Sequence, residues 1–112
     1  LTRVRGLISD DPAAQHSLAE LEAVSGLTRW ELARQFRAAY GTSPTQFRIM
    51  RQLDQARRLL MTGAAVATAA AESGFADQSH LSRLFKRTYG ITAAAWRSAV
   101  AQPFTTGSAA AR

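Results

Sequence analysis

The chain has 112 residues, of which 46% are hydrophobic, with no cysteine and a formal net charge of +6 at pH 7. This length allows one domain or two very small ones, and the lack of cysteine excludes disulfides and thiolate metal sites. No apolar run reaches bilayer-spanning length, and no basic-then-apolar start resembles a signal peptide. We therefore expect no membrane partner and a cytoplasmic location.

The charge is distributed unevenly along the chain. Residues 1–26 carry a net charge of −2, so the remaining residues carry +8. A concentration of positive charge favours an anionic partner, which could be nucleic acid, anionic lipid or an acidic protein.

Helix start and stop signals fill the first part of the chain. Apolar residues at helical spacing over 1–8 predict a short amphipathic helix, which Asp-Asp-Pro at 10–12 ends. Ser-x-x-Glu at 17–20 and Thr-x-x-Glu at 28–31 have the form of capping boxes, and they predict the starts of a second and a third helix. A glycine ends each of these two helices, Gly26 and Gly41 respectively.

A long fourth helix follows. Ser43 and Pro44 are typical of an N-cap and a first-turn proline, and the helix is expected to run to about Thr62. With 18 residues at 1.5 Å each it spans roughly 27 Å. One apolar stripe is expected to pack against helices on both sides, and it consists of Phe47, Met50, Leu53, Ala56 and Leu60.

Three shorter helices are predicted in the last part of the chain. One covers about 65–73, one is capped by Asp77 and closed by Gly90, and one is capped by Thr92 and runs to about Val100. Strand-like alternation is absent. The sequence therefore predicts an all-α fold of seven helices, followed by a flexible tail over 102–112.

The sequence contains an internal repeat. "ARQFRAAYG" at 33–41 and "SRLFKRTYG" at 82–90 have the same pattern at an offset of 49. The repeated unit is helix, glycine-containing turn, helix and a further capped helix, as in a helix-turn-helix, whose second helix enters the DNA major groove in DNA-binding proteins. The alternative is a duplicated helical hairpin that only packs. The matched pairs are Leu32 and Leu81, Phe36 and Phe85, Tyr40 and Tyr89, Phe47 and Trp96, and Arg48 and Arg97.

A helical wheel separates two faces in each copy. The core faces are predicted to hold Leu32, Phe36, Ala39 and Tyr40 in the first copy, and Leu81, Phe85, Thr88 and Tyr89 in the second. The opposite faces hold Trp30, Arg34, Arg37 and Ala38 in the first copy, and Ser79, Arg83, Lys86 and Arg87 in the second.

The outward faces carry the chemistry of groove recognition. Arginine forms two hydrogen bonds with guanine, and further cations contact phosphates without reading sequence. Arg34 and Arg83 occupy the same place in both copies, which argues against the alternative that both are merely solvated surface residues. Trp30 has two open interpretations: it packs against a neighbouring helix, or it contacts thymine methyls and sugars.

The second copy resembles a known family. "DQSHLSRLFKRTYGIT" after "ESGF" is similar to the C-terminal signature of the AraC/XylS family of bacterial transcription regulators, and "SGLTRWELARQFRAAYGTSPTQFRIMRQLDQARRLL" is similar to the family's first helix-turn-helix and linker helix. The resemblance covers about residues 1–100. It implies two helix-turn-helix subdomains joined by a long linker helix, at residues 1–43, 44–62 and 63–101.

The resemblance also implies roles for individual residues in binding double-stranded DNA with sequence specificity. The predicted base-reading residues are Arg29, Trp30, Ala33 and Arg34 in the first recognition helix and Gln78, Ser79, Ser82 and Arg83 in the second. The predicted backbone-contacting residues are Arg37, Arg48, Lys86, Arg87 and Arg97.

Three positions depart from the family pattern: Glu22, Ala93 where proline is usual, and Ala69 where a larger aliphatic residue is usual. A small residue is usual four positions before the turn glycine; Ala70 fits, but Glu22 is expected to crowd the helix contact unless it tilts outward. The resemblance further implies a separate N-terminal sensing or dimerisation domain, absent from this chain, and RNA polymerase as a further partner.

Two other functions compete with DNA binding. An enzyme is not expected, because Asp77, Ser79, His80 and Ser82 lie along one helical segment without the convergent geometry of a catalytic triad. The sequence also has no glycine-rich phosphate loop, paired carboxylate site or metal-ligand cluster, so no cofactor or metal is expected. The other alternative is a basic helical protein-interaction module that does not read DNA sequence.

Overall fold

The computed structural model describes residues 1–14 and 16–101, which form seven α-helices and no strand. This confirms the predicted all-α fold. The predicted tail over 102–112 lies outside the described residues. In chain order the helices are α1 (Thr2–Asp10), α2 (Leu18–Ser25), α3 (Arg29–Tyr40), α4 (Pro44–Met61), α5 (Val66–Glu72), α6 (Gln78–Tyr89) and α7 (Ala93–Ala101).

Side-chain caps fix the starts of α2 and α6 at the predicted places. The Ser17 hydroxyl accepts a hydrogen bond from the Glu20 amide at 3.0 Å, so α2 begins directly after Ser17. The Asp77 carboxylate accepts one from the His80 amide at 2.8 Å at the start of α6. Each cap satisfies an amide that the first helical turn leaves without a partner.

Glycines end both predicted recognition helices in the same way. Gly41 and Gly90 have φ angles of +79° and +83°, which lie in the left-handed region that side chains disfavour. Their amides donate back to the carbonyls of Arg37 and Lys86 at 2.8 Å. The shared geometry explains why both copies of the repeat carry glycine after tyrosine.

The chain divides into two compact units within α4. The first unit is Leu1–Gln52, and the second begins at Leu53. The sequence predicts a different division, in which residues 44–62 form a separate linker helix. That division stays a prediction.

The core of the first unit combines α1, α2 and α3 with the start of α4. Phe36 is fully buried at its centre, and its ring meets those of Tyr40 and Phe47 edge-on, with centroids 4.7 and 5.6 Å apart. Edge-to-face contacts of this kind add to the hydrophobic gain from burial. The other buried members of this cluster are Val4, Ile8, Leu21 and Leu32.

The core of the second unit is built around Phe85. The Phe85 side chain is fully buried, and the ring of Tyr89 lies 4.6 Å from it, centroid to centroid. The indole of Trp96 donates a hydrogen bond to the Arg57 carbonyl at 3.3 Å, which ties α7 to the C-terminal part of α4. The remaining buried apolar residues of this unit are Leu53, Ala56, Leu60, Ala69, Ala70, Phe75, Leu81 and Ala93.

Four predicted core residues are exposed, and one of them is Tyr89 at 39%. Met50 is 51% exposed. At about 100° per residue, the buried Leu53, Ala56 and Leu60 lie on a different side of α4 from Phe47, and Met50 falls between the two sides. Ala39 and Thr88 are exposed in the last turns of α3 and α6. In both turns the adjacent tyrosine covers the core phenylalanine instead.

No helix in the described part of the chain has both the length and the apolar character needed to cross a membrane.

Replacing Phe85 with alanine should destabilise the second unit by about 3–5 kcal/mol, since the cavity adds to the lost burial. Urea unfolding followed by Trp96 fluorescence, in a Trp30→Phe background, measures this loss. Thr88→Ala, an exposed change on the same helix, is the control and should shift stability by less than about 0.5 kcal/mol. A loss below about 1 kcal/mol for Phe85→Ala would contradict the packing described here.

Candidate nucleic-acid interface

The exposed face of α3 brings together the four residues predicted to read bases in the first copy. Arg29, Trp30, Ala33 and Arg34 are all exposed, and their spacing of three and four residues makes them neighbours on the helix surface. Trp30 is 79% exposed, which rules out the interpretation that it packs against a neighbouring helix in this structure. A large aromatic side chain on a basic surface is suited to contact with bases and sugars.

Glu22 tilts outward from α2 and contacts the start of α3. Its carboxylate accepts a hydrogen bond from the Arg29 amide at 2.8 Å, and the same oxygen lies 3.7 Å from Nε of the Arg29 side chain. The expected crowding of the helix contact is therefore avoided. Instead the carboxylate interacts with the positive end of the α3 dipole and with one predicted base-reading side chain.

Arg34 is held by a carboxylate one turn earlier on α3. Its Nε donates to Oε1 of Glu31 at 3.2 Å, and a terminal nitrogen donates to the same oxygen. The pKa of Glu31 is lowered from its ordinary value. The main cause is the hydrogen bond from Arg34, and the second is the attraction between the two charges. Glu31 therefore stays ionised at neutral pH.

The exposed face of α6 has a different electrostatic character. Gln78, Ser79 and Arg83 are exposed, and Ser82 is half-buried, so the structure brings the four predicted base-reading residues of the second copy to one side. Lys86 and Arg87 are exposed in the last turns of the helix. Across residues 1–14 and 16–101, no carboxylate lies within ion-pair distance of these cations.

His80, which matches Glu31 in the repeat, contacts its own turn. Its Nδ1 accepts a weak hydrogen bond from the Ala76 amide at 3.4 Å, and its ring meets that of Phe75 edge-on at 5.4 Å. The histidine thus stabilises the turn before α6. It leaves Arg83 without the carboxylate that Arg34 has.

Arg48 and Arg97, the last matched pair of the repeat, occupy different surroundings. Arg48 is half-buried and lines a cleft of about 360 Å³ in the first unit, beside Arg29 and Thr45. Arg97 donates to the carbonyls of Ala64 and Gly63 at 2.8 and 3.1 Å. Arg97 therefore has a structural role at the end of α4, and the predicted phosphate contact of either residue stays a prediction.

Arg37 is exposed on α3, as its predicted contact with the DNA backbone requires.

Among the described residues no group of three histidine, aspartate or glutamate side chains is placed to hold a metal ion.

Sequence reasoning missed the two carboxylates that organise α3. Glu31 and Arg34 stand three residues apart on a helix, a spacing that favours an ion pair, so a signal for this contact was present. Glu22 and Arg29 are seven residues apart across a turn, and only the folded turn brings them together.

Comparison with known proteins identifies relatives for almost the whole described chain. A family model described as a helix-turn-helix domain matches residues 21–99. The transcriptional activator NphR of Rhodococcus sp is 34% identical over 99 residues, which cover 87% of this chain and 29% of NphR. A putative AraC-like transcription regulator of Streptomyces antibioticus is 33% identical over 88 residues, which cover 78% of this chain and 29% of that protein. The chain therefore spans less than a third of the length of either relative.

A solved structure shares both the fold and the sequence pattern. The DNA-binding domain of AdpA, a global transcriptional factor crystallised in complex with a target DNA, superposes with a TM-score of 0.84 and 29% identity, over 95% of this chain and 96% of that one. Together with the duplicated helix-turn-helix and its exposed basic faces, these relationships show that the chain belongs to the AraC-type helix-turn-helix family of DNA-binding domains.

Proposed function

We propose that this chain binds double-stranded DNA with sequence specificity to regulate transcription, and that α3 and α6 each enter one of two adjacent major-groove segments. One observation carries this proposal. Two helices in the same register of the repeat each expose an arginine, Arg34 and Arg83, on the side opposite a buried phenylalanine. The AdpA domain, which has the same fold, was crystallised with its target DNA.

The exposed groups near the start of each helix supply the means to read bases. Arginine donates two hydrogen bonds to O6 and N7 of guanine, and Gln78 at the start of α6 can pair in a similar way with adenine. Trp30 and Ala33 offer apolar surface to thymine methyl groups.

Cations further along each helix suit the phosphate backbone. Arg37 on α3, and Lys86 and Arg87 on α6, are exposed beyond the predicted base-reading residues. Phosphate contacts of this kind fix the register of the protein on the duplex and supply affinity that does not depend on sequence. Arg48 and Arg97 are proposed to add to these contacts at the edges of the two faces.

The wider cellular role follows the relatives, which are named as transcription regulators. We propose that the chain acts in the cytoplasm without catalytic activity or a cofactor. We also propose that it works together with a sensing or dimerisation domain and that RNA polymerase is a further partner.

Selection of bound duplexes from a random DNA library tests the proposal directly. We expect a defined motif, and an affinity for it that falls with salt. If about six phosphates are neutralised, the slope of log affinity against log salt should be near −5. A duplex of the same composition in scrambled order is the control. Equal affinity for both duplexes at every salt concentration would instead favour a basic protein-interaction module.

Alanine substitutions of the arginine and lysine residues should distinguish base reading from contact with the DNA backbone. Arg34→Ala and Arg83→Ala should each relax the selected motif in a different segment, at a cost of about 1–3 kcal/mol apiece. Lys86→Ala and Arg87→Ala should weaken binding to every duplex alike and make the salt slope shallower. Repeating the selection with each variant measures both effects. If Arg83→Ala leaves the motif unchanged, α6 does not read bases.

Trp30→Ala should weaken binding to the selected duplex without destabilising the fold. Because the side chain is 79% exposed, its removal should change the free energy of unfolding by less than about 0.5 kcal/mol. Urea unfolding and fluorescence anisotropy with a labelled duplex measure the two quantities. In a Trp96→Phe variant, adding the duplex should also change the emission of Trp30. Unchanged affinity and unchanged emission would remove Trp30 from the proposed interface.

A further inference from the structure

The two predicted recognition helices share a framework but differ in acidic side chains. The repeat aligns Arg34 with Arg83, while Glu31 is matched by His80. Similarly, Glu22 is matched by the buried Ala70. The duplication therefore provides an internal comparison at these two positions, since Glu31 and Glu22 have no acidic counterpart in the second copy; the N-cap differs the other way, with Asp77 before α6 where Thr28 stands before α3.

Glu31 restricts the guanidinium of Arg34. Two nitrogens of Arg34 donate to one oxygen of Glu31, although the side chains are 69% and 43% exposed, respectively. The guanidinium carries five donors in one plane, so the remaining donors keep a defined direction. An arginine held in this way loses less conformational freedom when it binds a base edge.

The same carboxylate disfavours contacts that carry no sequence information. A phosphate that approaches Arg34 also approaches the ionised Glu31, and like charges repel. A guanine edge is neutral and meets much weaker repulsion. The pair therefore lowers affinity for DNA in general more than it lowers affinity for the correct base.

Glu22 has a similar effect at the start of α3. A helix N-terminus ordinarily attracts a phosphate, because its amides are unpaired and its dipole is positive. In α3 the Glu22 carboxylate already accepts the Arg29 hydrogen bond and lies near the Arg29 side chain. A DNA phosphate at this point would have to displace a negative charge.

We propose that Glu31 and Glu22 are specificity-determining positioning residues, which orient Arg34 and Arg29 and repel the DNA backbone. In this arrangement α3 supplies most of the discrimination between sequences. The helix α6, whose cations have no carboxylate partner in the described part of the chain, supplies more of the affinity common to all sequences. This inference rests on the proposed sequence-specific DNA binding.

Glu31→Gln in the full 112-residue chain is the central test. Affinities are measured over a range of salt concentrations for the duplex selected by the original chain and for its scrambled counterpart. We expect the affinity for the scrambled duplex to rise severalfold and the ratio between the two duplexes to fall. One additional uncompensated cation should make the salt slope for the scrambled duplex steeper by about 1. Glu22→Gln should act in the same direction.

Two further variants serve as a charge control and as the reverse experiment. Glu20→Gln removes an equal charge from α2, where Glu20 pairs with His16 rather than with a predicted DNA-contacting residue, and it should leave the ratio unchanged. His80→Glu introduces the missing carboxylate one turn before Arg83, and it should lower the affinity for the scrambled duplex and make the salt slope shallower.

The outcomes are distinguishable. If Glu31→Gln behaves like Glu20→Gln, or weakens binding to both duplexes by the same factor, the inference is overturned and Glu31 serves only the helix. If the original chain does not distinguish the selected duplex from the scrambled one, the proposed function itself fails. Thermal unfolding followed by circular dichroism verifies that each variant is folded before its affinities are compared.

Discussion

The burial of one phenylalanine in each helix-turn-helix is the constraint on which the candidate interface depends. Phe36 and Phe85 are fully buried, and each fixes the rotation of its helix about the helix axis. Because successive residues advance about 100°, this rotation determines which side chains face outward. The exposed positions of Trp30, Arg34 and Arg83 are consequences of core packing. A change that rotated α3 about Phe36 would move Trp30 and Arg34, and one that rotated α6 about Phe85 would move Arg83.

The fold could be predicted largely from local signals. Helix starts at Ser17, Thr28 and Asp77 depend on contacts over three residues, and the glycine ends depend on backbone conformation alone. Signals of such short range are present in the sequence itself. Met50 was wrongly predicted to pack in the core. At a period of 3.6, residues spaced by three do not form one stripe, and Met50 falls between the side of α4 that holds Phe47 and the side that holds Leu53 and Ala56.

The candidate site was less predictable, because its contacts join residues that are distant in sequence. The repeat located the two exposed faces, yet it could not show that Glu22 meets Arg29 across a turn or that Arg97 binds carbonyls more than thirty residues earlier. Aligned positions in a duplication share a place in the helix but not necessarily a set of neighbours. Arg48 and Arg97 illustrate this, since Arg97 donates to the carbonyls of Gly63 and Ala64, whereas Arg48 lines a cleft beside Arg29 and Thr45.

The same reasoning shows how one framework accommodates two different exposed faces. Core residues are tightly constrained by packing, whereas exposed residues on a helix change at little cost to stability. The position three residues before the aligned arginine is Glu31 in one copy and His80 in the other, and Phe36 and Phe85 are fully buried in both cases. Glu31 accepts hydrogen bonds from Arg34, whereas His80 accepts one from the Ala76 amide and stabilises the turn before α6. Divergence confined to the exposed face can therefore alter the balance between specificity and affinity while the scaffold stays the same.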